Sequence, residues 1–174
     1  DEIGRLASSF NYMMRQLRET LDGLAKSEQF LTEIVENIPN MIFVKDAQTL
    51  RFIRFNRAGE RLLGLTREEL IGKDDRDLFP PDEAEQFISK DRQVIQDGRL
   101  MDIPAEAIQT RYKGLRILHT RKIPLCDPQG APRYLLGISE DITEQRAAEK
   151  ARRDSERKYR AIFEYTGSAS IIIG

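Results

Sequence analysis

Residues 50–73 read LRFIRFNRAGERLLGLTREELIGK, and their reading decides the fold. Arg51-Phe52-Ile53-Arg54-Phe55 has the aromatic and β-branched content of a strand. Asn56 follows at the strand exit. Ala58 to Leu63 is a short helical turn closed by Gly64. Thr66-Arg67-Glu68-Glu69 has the form of a capping box, a threonine with a glutamate three residues on, and opens a second short helix closed by Gly72. A strand followed at once by one-turn helices suits a small α+β domain better than a helical bundle.

The flanks extend this pattern. Met41-Ile42-Phe43-Val44 reads as a strand and Asp46-Ala47-Gln48 as a turn, so the first two strands form a hairpin. Pro80-Pro81-Asp82 precedes a longer helix over about residues 82–97, with Phe87, Ile88, Val94 and Ile95 on its apolar face and Gly98 as its C-cap. Strands are expected at Ala107–Tyr112, Leu115–Leu125 and Arg133–Glu140, separated by turns at Lys113-Gly114 and Asp127-Pro128-Gln129-Gly130. The expected class is α+β: a five-stranded antiparallel sheet with its short helices between strands two and three.

Long helices flank this unit. Ile3, Phe10, Leu17, Leu24, Leu31 and Ile38 fall seven apart, a heptad seam suited to a coiled coil, and Pro39 ends the helix. The companion seam, Leu6, Met13, Thr20, Ser27 and Ile34, turns polar in the middle. After Asp141-Ile142-Thr143 the chain becomes helical again, with Thr143 or Asp141 as cap. SERKYRAIFEYTG (155–167) lies over SEQFLTEIVENIP (27–39), with Ser155, Glu156, Ile162 and Glu164 matching Ser27, Glu28, Ile34 and Glu36. That repeat makes Ile171-Ile172-Ile173 the expected first strand of a further unit.

Bulk properties narrow the function. The 174 residues are 33% charged, with 28 basic and 29 acidic residues balancing to a net charge of -1, so no nucleic-acid surface is indicated. One cysteine, Cys126, and one histidine, His119, exclude a disulfide within the chain and any site needing two of either. No run approaches the ~18 apolar residues of a membrane span. With no initiator methionine, the chain is expected to be an excerpt of a longer protein. No nucleotide-binding glycine loop is present, and the expectation is a segment without enzymatic activity. The acids Asp74-Asp75-Asp77 and Asp82-Glu83-Glu85 lack the spacing of a calcium loop and suit helix starts.

Residues 50–73, together with YKGLRILHTRKIPLCDPQGAPRYLLGISEDITEQR (112–146), resemble the two halves of a PAS sensor domain. DEIGRLASSFNYMMRQL at the start resembles the end of a HAMP linker. The resemblance implies this order: 1–25 the C-terminal half of HAMP and a connector helix, 26–39 a helical N-cap, 40–143 the PAS domain, 144–165 a signalling helix, and 166–174 the start of a second PAS domain. It further implies a segment of a membrane-bound receptor on the cytoplasmic side of the inner membrane, acting as a parallel homodimer with a downstream output domain. A sensor histidine kinase is the first expectation and a diguanylate cyclase the alternative.

Cofactor expectations follow from the same alignment. Asp75 stands where flavin photosensors of the family carry their reactive cysteine, and adduct chemistry needs a thiol. The helix over 82–97 has no histidine for haem. Covalent flavin and haem are therefore not expected, and the cofactor, if any, is open. Asn56, Gln109, Leu118, Thr120, Leu135 and Ser139 are the ligand-pocket residues the alignment and strand alternation suggest. A one-residue slip would exchange members of this set for Ile117, His119 and Ile138. Asp141 and Thr143 are expected to couple the sheet to the exit helix, with Lys45 or Arg54 as the cation beside Asp141. Relay without ligand, small-molecule sensing, and a scaffold docking a partner on the sheet all remain open at this stage.

Overall fold

The computed structural model describes residues 2–169. Helix α1 (Glu2–Asn37) leads into strands β1 (Met41–Asp46) and β2 (Phe52–Phe55). The helices α2 (Arg57–Leu63), α3 (Arg67–Leu70), α4 (Asp75–Leu78) and α5 (Pro81–Asp97) follow. Strands β3 (Met101–Thr110), β4 (Gly114–Cys126) and β5 (Pro132–Asp141) complete the sheet, and α6 (Thr143–Ala169) leaves it. The sheet order is β2-β1-β5-β4-β3, with every pairing antiparallel. This is the expected five-stranded α+β fold with its short helices between β2 and β3, flanked by two long helices.

Local chemistry explains most boundaries. Asn56 caps α2 by accepting from the Gly59 N–H, and Gly64 closes it in the left-handed region at φ 74°. Thr66 and Glu69 form the expected capping box. Asp74 and Asp77 form a second one, which opens α4, so these acids do stand at a helix start as the sequence suggested. Pro81 at the first turn of α5 gives up a donor that would have no partner there.

Two boundaries differ from the sequence reading. β3 begins at Met101 rather than Ala107, because Met101–Ile103 pair with Thr120–Lys122 before a bulge that ends at Glu106. Pro104 sits in that bulge on an edge strand, where its missing N–H is tolerated, and it hides the alternation. α6 runs through Thr166 and Gly167, where the sequence pattern begins the next unit; one glycine costs a helix about 1 kcal/mol and need not stop it. Ile171–Ile173 lie outside the described residues.

The core gathers Phe43, Phe52 and Phe55, with ring centroids 5.6–6.1 Å apart, beside Leu62, Leu63, Leu70, Phe87, Ile108 and Leu118. Phe43 lies across Gly137, its partner on β5, and occupies the space a side chain there would need. Gly137→Ala should therefore cost about 1–3 kcal/mol by forcing the Phe43 ring aside. A denaturation midpoint unchanged from the wild type would show that the ring moves freely.

Candidate functional site

Three arrangements stand out: a charged interior, and one joint where each long helix meets the sheet. The interior begins with Lys45 of β1, which strand alternation turns inward although it is charged. Its Nζ donates to Asp75 Oδ2 and Asp91 Oδ2, both at 2.6 Å. Lys122 of β4 donates to the other oxygen of Asp91 at 2.5 Å. All four side chains are almost wholly buried, at 0–3% exposure. The ammonium of Lys45 also lies 4.5 Å from the Phe52 ring centre, and that of Lys122 5.8 Å from that of Phe87.

Two carboxylates in this ring are held differently. Burial pushes both upward in pKa. For Asp75 that effect prevails over its single partner Lys45, so its pKa is raised. Asp91 faces both Lys45 and Lys122, and their charges hold its pKa below the ordinary 3.8. A small cavity adjoins the ring, lined by Phe43, Phe52, Phe55, Phe79 and Phe87 with Lys45, Lys122, Glu106 and Ser139. About 30 Å³ of it is open, room for a water or two.

The joint at α1 centres on Asn56, which is fully buried. Its Oδ1 accepts from the N–H groups of Ile42 (2.9 Å) and Gly59 (3.1 Å). Its Nδ2 donates to the carbonyls of Val35 (3.0 Å) and Asn40 (2.9 Å). Glu36, in the last turn of α1, accepts from Arg67 at 2.7 Å and from the Arg57 N–H at 2.9 Å. Arg54 reaches back to Thr32 at 3.1 Å.

The joint at α6 centres on Asp141. Its Oδ2 accepts from Arg116 Nε at 2.8 Å, and its Oδ1 from the Thr143 hydroxyl at 2.6 Å and N–H at 3.1 Å. The Thr143 hydroxyl oxygen accepts from the Ile117 N–H at 2.8 Å. Burial raises the pKa of Asp141, but the bonds from Thr143 and Arg116 outweigh it and leave the carboxyl below its ordinary value. β1 starts at Met41 directly beside Ser139 of β5, so the two joints sit at one end of neighbouring strands.

Residues 35–147 match the family described as PAS fold. The chain belongs to the PAS-fold family. This chain is 30% identical over 147 residues to FilI, a methanogenesis regulatory histidine kinase of Methanothrix harundinacea, covering 84% of this chain and 16% of FilI. It is 27% identical over 134 residues to ArcB, the aerobic respiration control sensor protein of Escherichia coli K12, covering 74% of this chain and 17% of ArcB. The PAS domain of Bordetella pertussis BvgS superimposes with a TM-score of 0.56 at 21% identity, covering 76% of this chain and 98% of that one, a likeness of fold. This chain thus spans only a small part of its curated relatives, and the shared part includes the PAS-fold region, which is homologous to that of sensor histidine kinases.

Within this PAS domain the expected pocket residues divide. Leu118, Thr120, Leu135 and Ser139 all face inward and are buried. Leu118 and Ser139 line the cavity, and the Thr120 and Ser139 hydroxyls bond to each other at 2.9 Å. Gln109 is exposed, because the β3 bulge sets Glu106, Ile108 and Thr110 inward instead. Asn56 does not line the cavity; its amide is spent on backbone groups at the α1 joint. The cation beside Asp141 is Arg116. Lys45 and Arg54 are engaged elsewhere, because the β4–β5 register sets Leu118 opposite Asp141 and brings Arg116, two residues away on the same face, within reach. Sequence reasoning missed the buried ring altogether. The available signal was two lysines, Lys45 and Lys122, at positions that alternate with buried apolar residues.

Proposed function

We propose that this chain is the relay and dimerisation segment of a membrane-bound two-component sensor, passing helix rearrangements from a HAMP unit through the PAS domain to a downstream histidine kinase. In this reading residues 1–25 end the HAMP unit, 26–39 and 144–165 are the input and output helices, and 166–174 open a second PAS domain. The segment lies on the cytoplasmic side of the inner membrane and works as a parallel homodimer. The observation that carries the reading is the adjacency of the two joints. α1 feeds β1, α6 leaves β5, and β1 and β5 are direct neighbours. A displacement of one helix needs to cross only one strand pair to reach the other.

Uncovered apolar surface on α1 supports the dimer. Phe10, Leu17, Leu24 and Leu31 are each more than half exposed, as are Met13 and Phe30. Such a stripe on a long helix suits a partner helix. In the full receptor carrying Cys126→Ser, Leu17→Cys should cross-link between subunits on mild oxidation. Arg15→Cys, about 200° around the helix, should not. Equal cross-linking at both positions would remove the parallel seam.

Asp141 tests the relay itself. Asp141→Ala in the full receptor should abolish the response to stimulus while the PAS domain stays folded, since the lost cap costs about 1 kcal/mol. An unchanged dose-response would take Asp141 out of the mechanism. A second reading, small-molecule sensing, is favoured by one observation: the buried ammonium of Lys122 faces an interior cavity with, among the described residues, a single carboxylate oxygen as its hydrogen-bond acceptor.

A further inference from the structure

We propose that the interior cavity takes a small aromatic monocarboxylic acid, its carboxylate on Lys122 and its ring among the phenylalanines. The inference rests on the small-molecule reading of this cavity. Lys122 is 2% exposed and carries three N–H groups, of which one reaches an acceptor among the described residues, Asp91 Oδ1. A buried ammonium in that state calls for oxygen acceptors from water or a guest. An amine or an ester offers less there than a carboxylate, which bonds to an ammonium about twice as strongly as a neutral acceptor does.

The walls supply the rest of the specificity. Phe43, Phe52 and Phe55 line one side of the cavity, and Phe79 and Phe87, 5.2 Å apart edge to face, the other. Aromatic rings pack favourably against such surfaces. The open volume holds only a water or two, so a guest must displace side chains. Asp75 and Phe79 belong to the four-residue helix α4 and its C-cap, so admitting the guest means moving α4 and parting Asp75 from Lys45.

Charge balance predicts a signature. The charged groups lining the cavity are Lys45 from β1, Lys122 from β4, Asp75 from α4 and Glu106 from β3; behind them Asp91 of α5 bonds to both lysines, and Glu106 is paired to Lys90 of α5 at 2.9 Å. These three cations and three carboxylates balance. A guest carboxylate adds one buried negative charge, which is costly unless neutralised. Asp75 has a single ammonium partner and is the carboxylate most ready to take up a proton. Binding of the anion should therefore draw about one proton from solution at neutral pH.

Calorimetry of the 174-residue chain with benzoate, and with benzamide as its uncharged counterpart, tests this. Benzoate should bind saturably, with benzamide weaker by about 10–100-fold, the worth of one charged hydrogen bond. Repeating the titration in buffers of different ionisation heat should reveal the proton uptake. Lys122→Met, checked for folding by circular dichroism, should weaken benzoate by a similar factor and leave benzamide unchanged. Benzamide binding as tightly as benzoate would overturn the acid while leaving the cavity a ligand site. Binding of neither would remove the ligand reading and the proposal with it, and leave the helix relay standing. Benzoate binding untouched in the Lys122 variant would overturn the assigned anchor.

Discussion

Asp91→Leu should lower the stability of the domain by about 3–5 kcal/mol in urea or guanidinium denaturation, enough to unfold a marginal protein. Asp91 is the one acid that holds both buried ammonium groups, Lys45 and Lys122. Its removal strands Lys122 with no carboxylate and leaves Lys45 with Asp75 alone. The cost comes from the abandoned charge and not from the value of the pair as such. Replacing Lys45, Asp75, Asp91 and Lys122 together with apolar residues of similar size should therefore be close to neutral. A single Asp91 substitution costing under about 1 kcal/mol would mean that water reaches Lys122.

The acid dependence of the wild type follows with a definite sign. Asp91 has a folded pKa below its unfolded value, so its contribution is present above the ordinary 3.8 and is lost as pH falls through the folded pKa. Asp75 is shifted the other way, and its ionisation opposes folding. Its contribution favours the folded state at pH below its raised pKa. The Asp75→Asn variant, uncharged at all pH, should therefore cost less at neutral pH than the Asp91 variant, a comparison that equilibrium denaturation reads directly.

Asn56→Ala is the second large effect, again about 3–5 kcal/mol. The substitution leaves the N–H groups of Ile42 and Gly59 and the carbonyls of Val35 and Asn40 without the partners they have in the fold. Each buried backbone group left unpaired costs about 1–3 kcal/mol, partly recovered where the chain relaxes toward water. The loss should localise to the α1 joint, so amide exchange at Ile42 and Gly59 should accelerate well before that of β4. Asn56→Asp should not rescue it at neutral pH, since a carboxylate oxygen would then face the carbonyls of Val35 and Asn40. Acidification should restore part of the stability of that variant as its carboxyl protonates and regains a donor. An Asp variant as stable as wild type at neutral pH would refute the donor role.

What was legible in the sequence was what neighbours in the chain decide. Thr66 with Glu69, Gly64, Gly72 and the Asp127–Gly130 turn carry their structure within a few residues, and the strands between them follow. Inward positions on β4 and β5 followed from alternation, because those strands run without interruption from Leu118 to Lys122 and from Leu135 to Ser139. Gln109 failed because a bulge upstream changes which residues of β3 face in, and alternation carries no memory of a bulge. Asp74, Asp75 and Asp77 read as one acidic cluster, yet Asp74 and Asp77 cap a helix while Asp75 enters the core. Only the position of Lys45, thirty residues away in the chain, separates them. The choice of Arg116 for Asp141 was likewise made by strand register, which single-residue patterns do not specify.

The length of α1 bears on how small a change the sheet must make. Its 36 residues extend about 54 Å from the Asn56 joint at 1.5 Å per residue. A rigid rod of that length, pivoting where Pro39 breaks the helix, converts a tilt of about 5° at the sheet into a swing of about 5 Å at its far end, close to the rise of one helical turn. Run in reverse, the same lever reduces a large movement at the far end of α1 to a displacement at β1 smaller than a hydrogen bond is long. The joint can therefore be tightly bonded and still transmit, because the amplitude resides in the arm and not in the hinge.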